Sequence, residues 1–267
     1  MCLLMLAWQA HPRYRLVVAA NRDEYHERPA GALAMWPPPM EILAGRDLQA
    51  LGTWLALDRE RRFGVVTNFR ELQRPRPGAP SRGELIPRYL GAPGSAGSAG
   101  SAAGFFAELE PQAQGYSGFN LLLTDEHSLW YGSNRADPFA RRLPPGVYGL
   151  SNELLDTPWP KLTRVRAGFE AWLREPHSSS PAALFALLAD RTPSADDAPA
   201  PDTGGLPREW ARALSAPFVL HPGYGTRCST LVLQEPGGWV YLAERRFDPA
   251  GELTGETEFQ LKPGEWP

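Results

Sequence analysis

A cysteine at position 2 is the first residue in this chain with chemistry to offer. Enzymes that remove an initiator methionine act when the second residue is small, and cysteine qualifies, so removal of Met1 would leave Cys2 as the new N-terminus. A thiol and a free α-amine would then share one residue. An α-amine with a pKa near ~7.7 to 8.0 accepts a thiol proton at neutral pH, which completes a nucleophile and its base. The same cysteine also reads as a small buried hydrophobe opening the first strand. Further on, the apolar run Val17-Val18-Ala19-Ala20 breaks into Asn21-Arg22-Asp23-Glu24, four polar residues of both charge signs at what reads as a strand end. Pairing of the first two strands through the His11-Pro12-Arg13 turn carries that end back beside Cys2, where Asn21, Arg22 and Asp23 reach the thiol. The alternative is a solvated turn with an arginine-carboxylate pair.

Two asparagines close later apolar runs, Asn68 after Gly64-Val65-Val66-Thr67 and Asn152 after Val147-Tyr148-Gly149-Leu150-Ser151. An asparagine amide or a strand-end backbone N–H is the kind of neutral donor that stabilises a tetrahedral oxyanion. Asparagine is equally an ordinary turn residue. Arg227, in Tyr224-Gly225-Thr226-Arg227, opens another apolar strand and supplies positive charge, while Cys228 alternates inward and reads as packing. His11 and His26 read as loop residues, because a histidine base is redundant beside an α-amine.

Other chemistries find little support. The five histidines are scattered singly, with no H-E-x-x-H or Cys-x-x-Cys, so no metal is expected. No phosphate-binding loop is present, and no organic cofactor is expected. With 27 basic against 30 acidic residues, the chain lacks the cationic footprint that nucleic acid demands. Its apolar runs fall short of the ~20 residues that span a bilayer, and no basic residue precedes the first of them as a signal peptide requires. The expected compartment is the cytosol. Two cysteines in 267 residues make no disulfide framework.

The elements that must position these residues are mostly short strands: Cys2–Gln9, Tyr14–Ala20, Gly52–Leu57, Phe63–Asn68, Phe119–Thr124, Ser128–Gly132, Val147–Asn152, Thr230–Gln234 and Trp239–Glu244. Several neighbours are separated by hairpin-length turns, so a largely antiparallel sheet system is expected. A helical period runs through Pro158–Glu175, after an Asp156-Thr157-Pro158 start with a cap and an N1 proline. Further helices are expected at Leu206–Leu214, at Gly83–Leu90 and in the Pro181–Asp190 run, which makes the fold α+β. Residues 1–267 read as a single domain, with flexible loops near 91–104 (GAPGSAGSAGSAAG) and 178–205.

Taken in order, Met1-Cys2, Asn21-Arg22-Asp23-Glu24, Gly52-Thr53-Trp54, Thr67-Asn68-Phe69-Arg70, Gly149-Leu150-Ser151-Asn152, Leu155-Asp156-Thr157-Pro158-Trp159 and Tyr224-Gly225-Thr226-Arg227 resemble the NRDE family, which includes the transport-and-Golgi-organization protein 2 homologues. More distantly, the same order resembles the N-terminal nucleophile (Ntn) hydrolases of the choloylglycine hydrolase and penicillin acylase type. That resemblance implies a four-layer αββα sandwich of two mainly antiparallel sheets. It implies Cys2 as the nucleophile, Asp23 as the residue that holds the α-amine, the Asn68 backbone and Asn152 side chain as oxyanion donors, and Arg227 as a late arginine of the site. One departure is that Ala20 stands where those hydrolases carry an arginine, and Arg22 follows Asn21 instead.

The resemblance therefore implies an N-terminal cysteine amidohydrolase or acyl transferase acting on a non-peptide amide or acyl substrate through a thioester. It equally permits a non-catalytic carrier of haem or of an acyl or lipid ligand. Nine tryptophans and eight tyrosines suit either an apolar ligand or the core. Nothing in the sequence indicates an oligomeric state.

Overall fold

The computed structural model describes residues 2–71, 78–91, 100–175, 180–195 and 207–267. Its elements are α+β and fall into two compact units, one formed by residues 1–27, 145–151 and 155–265, the other by 28–144, 152–154 and 266–267.

The first unit is built on an antiparallel sheet. β1 (Leu3–Trp8), β2 (Leu16–Tyr25), β10 (Gly146–Leu150), β12 (Tyr224–Gln234), β13 (Val240–Phe247) and β14 (Leu253–Leu261) lie in the order β10-β1-β2-β12-β13-β14, and the short β11 (Leu220–His221) pairs with β12. All six residues of β1 are buried, so the strand reads as an unbroken apolar run rather than an alternating one. On one face, Leu3, Met5, Val17, Ala19, Leu231 and Leu233 pack against α3 (Pro160–Leu173) and α4 (Pro181–Leu188). A short α5 (Arg208–Leu214) precedes β11.

The second unit is a meander of β3 (Ala30–Met35), β4 (Ile42–Asp47), β5 (Leu55–Asp58), β6 (Phe63–Asn68), β7 (Phe119–Thr124), β8 (Leu129–Ser133) and β9 (Ala140–Leu143), hydrogen-bonded in chain order. α1 (Leu85–Leu90) and α2 (Ala102–Leu109) bury Ile86, Tyr89, Phe105 and Phe106 against Ile42, Val66, Leu121 and Leu123. Tight backbone approach explains one sequence motif here. A Cβ on Gly52 would lie 2.4 Å from the carbonyl carbon of Gly83, whose oxygen accepts the Thr53 N–H at 2.9 Å.

Several expectations need correction. The polar Asn21–Glu24 run does not end a strand, because β2 continues through it to Tyr25. The long helix starts two residues later than expected, with Pro160 rather than Pro158 in its first turn and no side-chain cap. Asp156 has a left-handed φ of 63° and accepts the Gly149 N–H instead. α2 begins inside the stretch read as a flexible loop, its Ser101 hydroxyl accepting the Gly104 N–H at 3.0 Å. Residues 92–99 of that stretch, and 178–179 and 196–205 of the second, lie outside the described residues. β3, β4, β9, β11 and β14 were not foreseen. β14 is an edge strand of alternating exposure carrying few apolar residues, which leaves little hydrophobic signal.

Candidate functional site

In the first unit, β1 and β2 pair from Trp8 with Leu16 to Leu3 with Asn21, which delivers the chain start to Arg22 and Asp23. β12 flanks β2 on its other side, pairing Ser229 with Asn21, Cys228 with Arg22 and Thr226 with Asp23. Arg227 is the extra residue between the last two pairs. Such a bulge re-aims a side chain, and Arg227 Nη1 donates to the carbonyls of Tyr25 at 2.9 Å and His26 at 3.1 Å.

Because β2 stays extended, its polar run splits between two faces. Asn21 and Asp23 continue the face of Val17 and Ala19, on which α3 and α4 pack. Arg22 and Glu24 take the other face, with Arg22 Nη2 3.7 Å from Glu24 Oε2. Each polar group on the helix face has a specific partner. Asn21 Nδ2 donates to the carbonyls of Leu188 at 2.8 Å and Pro217 at 2.9 Å, and its Oδ1 accepts the Ser229 hydroxyl at 2.6 Å. Asn21 therefore braces β2 to the end of α4 and to the segment after α5. Asp23 Oδ1 accepts the Thr226 hydroxyl at 2.7 Å, that hydroxyl oxygen accepts the Val219 N–H at 2.9 Å, and the Tyr224 hydroxyl donates to the Asp23 carbonyl at 2.8 Å.

Cys2 is partly buried, and its carbonyl accepts the Ser151 hydroxyl at 3.0 Å. Burial pushes the Cys2 thiol up. The positive charge of the N-terminus at Met1, a hydrogen bond from the Asp23 backbone N–H and the Arg22 charge pull it back, while the Asp23 carboxylate pushes it up again. Burial also raises Asp23, against the positive charge of the N-terminus at Met1, Lys161, the Thr226 hydroxyl and Arg22, all of which favour its carboxylate. Burial lowers Arg227, and the nearby Arg22 charge lowers it further. Cys2, Arg22, Asp23 and Arg227 thus act on one another directly or through Arg22, with Asn21 as the brace behind them.

The two asparagines proposed as oxyanion donors belong to the second unit. Asn152, 2% exposed, donates from Nδ2 to the Asn68 carbonyl at 2.9 Å, and its own carbonyl accepts the Arg70 N–H at 2.7 Å. Asn68 ends β6 with its side chain exposed.

Sequence reasoning missed three contributors. Thr226 lay inside a quoted motif, but its role as partner of Asp23 was unseen. Glu244, 2% exposed on β13, is hydrogen-bonded to the Cys228 thiol and, with burial, drives that thiol well above its ordinary value. Lys161, 1% exposed, sits in the first turn of α3 with Nζ 3.0 Å from the Leu214 carbonyl. A signal for it existed, since only Lys161 and Lys262 among the 27 basic residues are lysine. His11, expected in a loop, is buried in the β1–β2 turn, where Nδ1 accepts the N–H groups of Arg13 and Tyr14 and the ring stacks on Tyr14. Among the described residues, no group of three or more His, Cys, Asp or Glu is placed to hold a metal ion, and no helix is long and apolar enough to cross a membrane.

Known proteins share this sequence pattern across nearly its full length. A family model described as Transport and Golgi organisation 2 matches residues 1–249. The Transport and Golgi organization protein 2 homolog of Bos taurus is 32% identical over 287 residues, covering 98% of this chain and 100% of the bovine one. The Transport and Golgi organization 2 homolog of Mus musculus is 30% identical over 282 residues, covering 98% and 100%. In Drosophila melanogaster, Transport and Golgi organization protein 2 is 25% identical over 278 residues, covering 94% and 95%. With the family model spanning most of its length and relatives aligned end to end, the chain belongs to the Transport and Golgi organisation 2 family.

Proposed function

We propose that the protein is an N-terminal cysteine amidohydrolase or acyl transferase of the Ntn-hydrolase class, acting once Met1 has been removed. The observation that carries this reading is the β1–β2 register, which pairs Leu3 with Asn21 and so brings Cys2 to Arg22 and Asp23, at the chain end where an α-amine would stand. Each unit packs helices on one face of an antiparallel sheet. In the proposed reaction, the α-amine takes the thiol proton and Sγ attacks the carbonyl carbon of a non-peptide amide. The carbon–nitrogen bond breaks and the amine leaves with the proton held by the α-ammonium group. Sγ keeps the acyl group as a thioester, which water hydrolyses or an acceptor nucleophile takes over. Asp23 holds the α-amine.

Incubation with a simple N-acyl amine, followed by intact mass, tests this reading. A Met1-free protein that gains the acyl mass on Cys2, and loses that gain in Cys2→Ser, supports it. No adduct and no turnover across a panel of acyl chain lengths would refute it.

A second reading, a carrier of haem or an acyl ligand that keeps the fold without the chemistry, is favoured by one observation. Burial and the Asp23 carboxylate both hold the Cys2 thiol above its ordinary value, which works against a resting thiolate. Under that reading Cys2→Ser leaves ligand binding unchanged.

A further inference from the structure

Cys2 lies one position before β1, and the two sides of that strand end differently. Toward β2 the ladder runs to Leu3, paired with Asn21, whereas toward β10 it stops one residue short, with Leu4 paired to Leu150. The first residues of a chain fray unless something ties them down. Here a tie comes from the residue after β10: the Ser151 hydroxyl donates to the Cys2 carbonyl at 3.0 Å, and Ser151 is 2% exposed.

β10 is an edge strand, so its own end must be held before it can hold another. Asp156 does this from both sides of one peptide unit: its N–H donates to the Gly149 carbonyl at 2.8 Å, and its Oδ1 accepts the Gly149 N–H at 2.8 Å. Arg166 on α3 pairs with the same carboxylate oxygen. A Cβ on Gly149 would lie 3.0 Å from the Leu162 side chain, so the strand end is pressed against that helix. Leu150, 1% exposed, then pairs with Leu4, and Ser151 reaches the chain start from a fixed backbone.

We propose that Ser151 is a positioning residue for the N-terminal centre: its hydroxyl fixes the peptide plane between Cys2 and Leu3, so that the α-amine and thiol of Cys2 swing only about that residue's own ψ and χ1. Peptide units are planar and rigid, so holding one carbonyl oxygen holds the plane from which both reacting groups hang. The carbonyl belongs to Cys2 itself, and removal of Met1 therefore leaves the bond in place. Its purpose rests on the proposed N-terminal cysteine chemistry, but its measurement does not. Burial, which holds the thiol above its ordinary value, is the largest influence on it, ahead of the positive chain terminus and of Asp23 and Arg22 on β2. A loosened peptide plane lets the thiol out toward water and lessens that influence.

The low cysteine content makes the test direct. Full-length protein labelled with carbonyl-13C cysteine, with Met1 removal verified by mass, carries two labelled carbonyls, and Cys228→Ser assigns them. At one fixed pH, Ser151→Ala should move the Cys2 carbonyl signal toward its position in urea-unfolded protein and leave that of Cys228 unmoved. In the same variant the pH midpoint of Cys2 alkylation by iodoacetamide should fall by about half a unit or more. Ser151→Thr, which keeps a hydroxyl, should restore part of both changes. A hydroxyl that served stability alone would lower the melting temperature and leave the alkylation profile in place. A folded Ser151→Ala with the wild-type profile therefore overturns the inference. If that variant does not fold, a wild-type Cys2 carbonyl signal that already sits at the unfolded position overturns it. None of these readouts uses acyl transfer, so a Cys2 inert toward N-acyl amines would refute the proposed reaction while leaving the role of Ser151 intact. Acylation of Cys2 with an unmoved profile in Ser151→Ala would do the reverse.

Discussion

The Thr226 hydroxyl donates to the Asp23 carboxylate at 2.7 Å across the β2–β12 ladder, while its oxygen accepts the Val219 N–H at 2.9 Å. One hydroxyl therefore satisfies a buried carboxylate and a buried backbone donor, and it does so beside the bulge that turns out Arg227.

Thr226→Val keeps the shape and removes both bonds. Stability should fall by about 1–3 kcal/mol, the penalty for leaving buried polar groups unpaired, and Thr226→Ser should recover most of it. Urea denaturation of the three proteins measures this. The Asp23 carboxyl, already raised by burial, should rise further in the valine variant because a bond favouring its charged form is lost.

The two cysteines should separate on alkylation. Burial and Glu244 hold the Cys228 thiol well above its ordinary value, so iodoacetamide should modify it only on unfolding. Cys2 is partly buried and its thiol is raised to a lesser degree, so labelling of the folded, Met1-free protein should be confined to Cys2 and should accelerate as pH rises. Peptide mapping after timed labelling decides it, and modification of Cys228 before Cys2 would contradict the assignment.

Asp58 makes a pH prediction for the second unit. It is buried against Arg62, whose Nε donates to Oδ2 at 2.7 Å and whose backbone N–H donates to Oδ1 at 2.8 Å, yet burial prevails and its pKa is raised from 3.8 to about 6. Because the folded state binds the proton more tightly, the contribution of Asp58 to stability is fully present below about pH 4 and is lost as pH rises through about 6. The difference amounts to about 3 kcal/mol. Asp58→Asn should lack this component, so subtracting its stability curve from that of wild type should reveal a fall between those pH values. A flat difference would show that Arg62 compensates the buried charge fully.

Gly52→Ala should be costly, since its Cβ would strike the backbone of Gly83 at 2.4 Å and no flexible side chain is available to yield. A loss of about 3 kcal/mol is expected from such overpacking. Gly115→Ala, with nothing within 4 Å of the added Cβ, should change stability little and serves as the control in thermal denaturation.

Much of the scaffold was legible because local periodicity is a local property. β6 and β7 fall where unbroken apolar runs placed them, and α3 and α4 follow their apolar faces. The placement of Asn21, Arg22 and Asp23 at the chain start could also be read in advance, from the hairpin spacing of the first two strands. What the sequence could not determine was that Asn21–Glu24 remains strand. Four polar residues in succession resemble a turn until Ser229 and Thr226, some two hundred positions away, supply the partners that allow a polar strand to be buried. Tertiary structure also decided that Asn21 is a brace, that Asn68 and Asn152 pair with each other in the second unit, and that Lys161 is enclosed. Each outcome depends on which distant group meets a buried charge or amide. Desolvation makes that meeting a condition of burial, and only the folded chain brings the partners together.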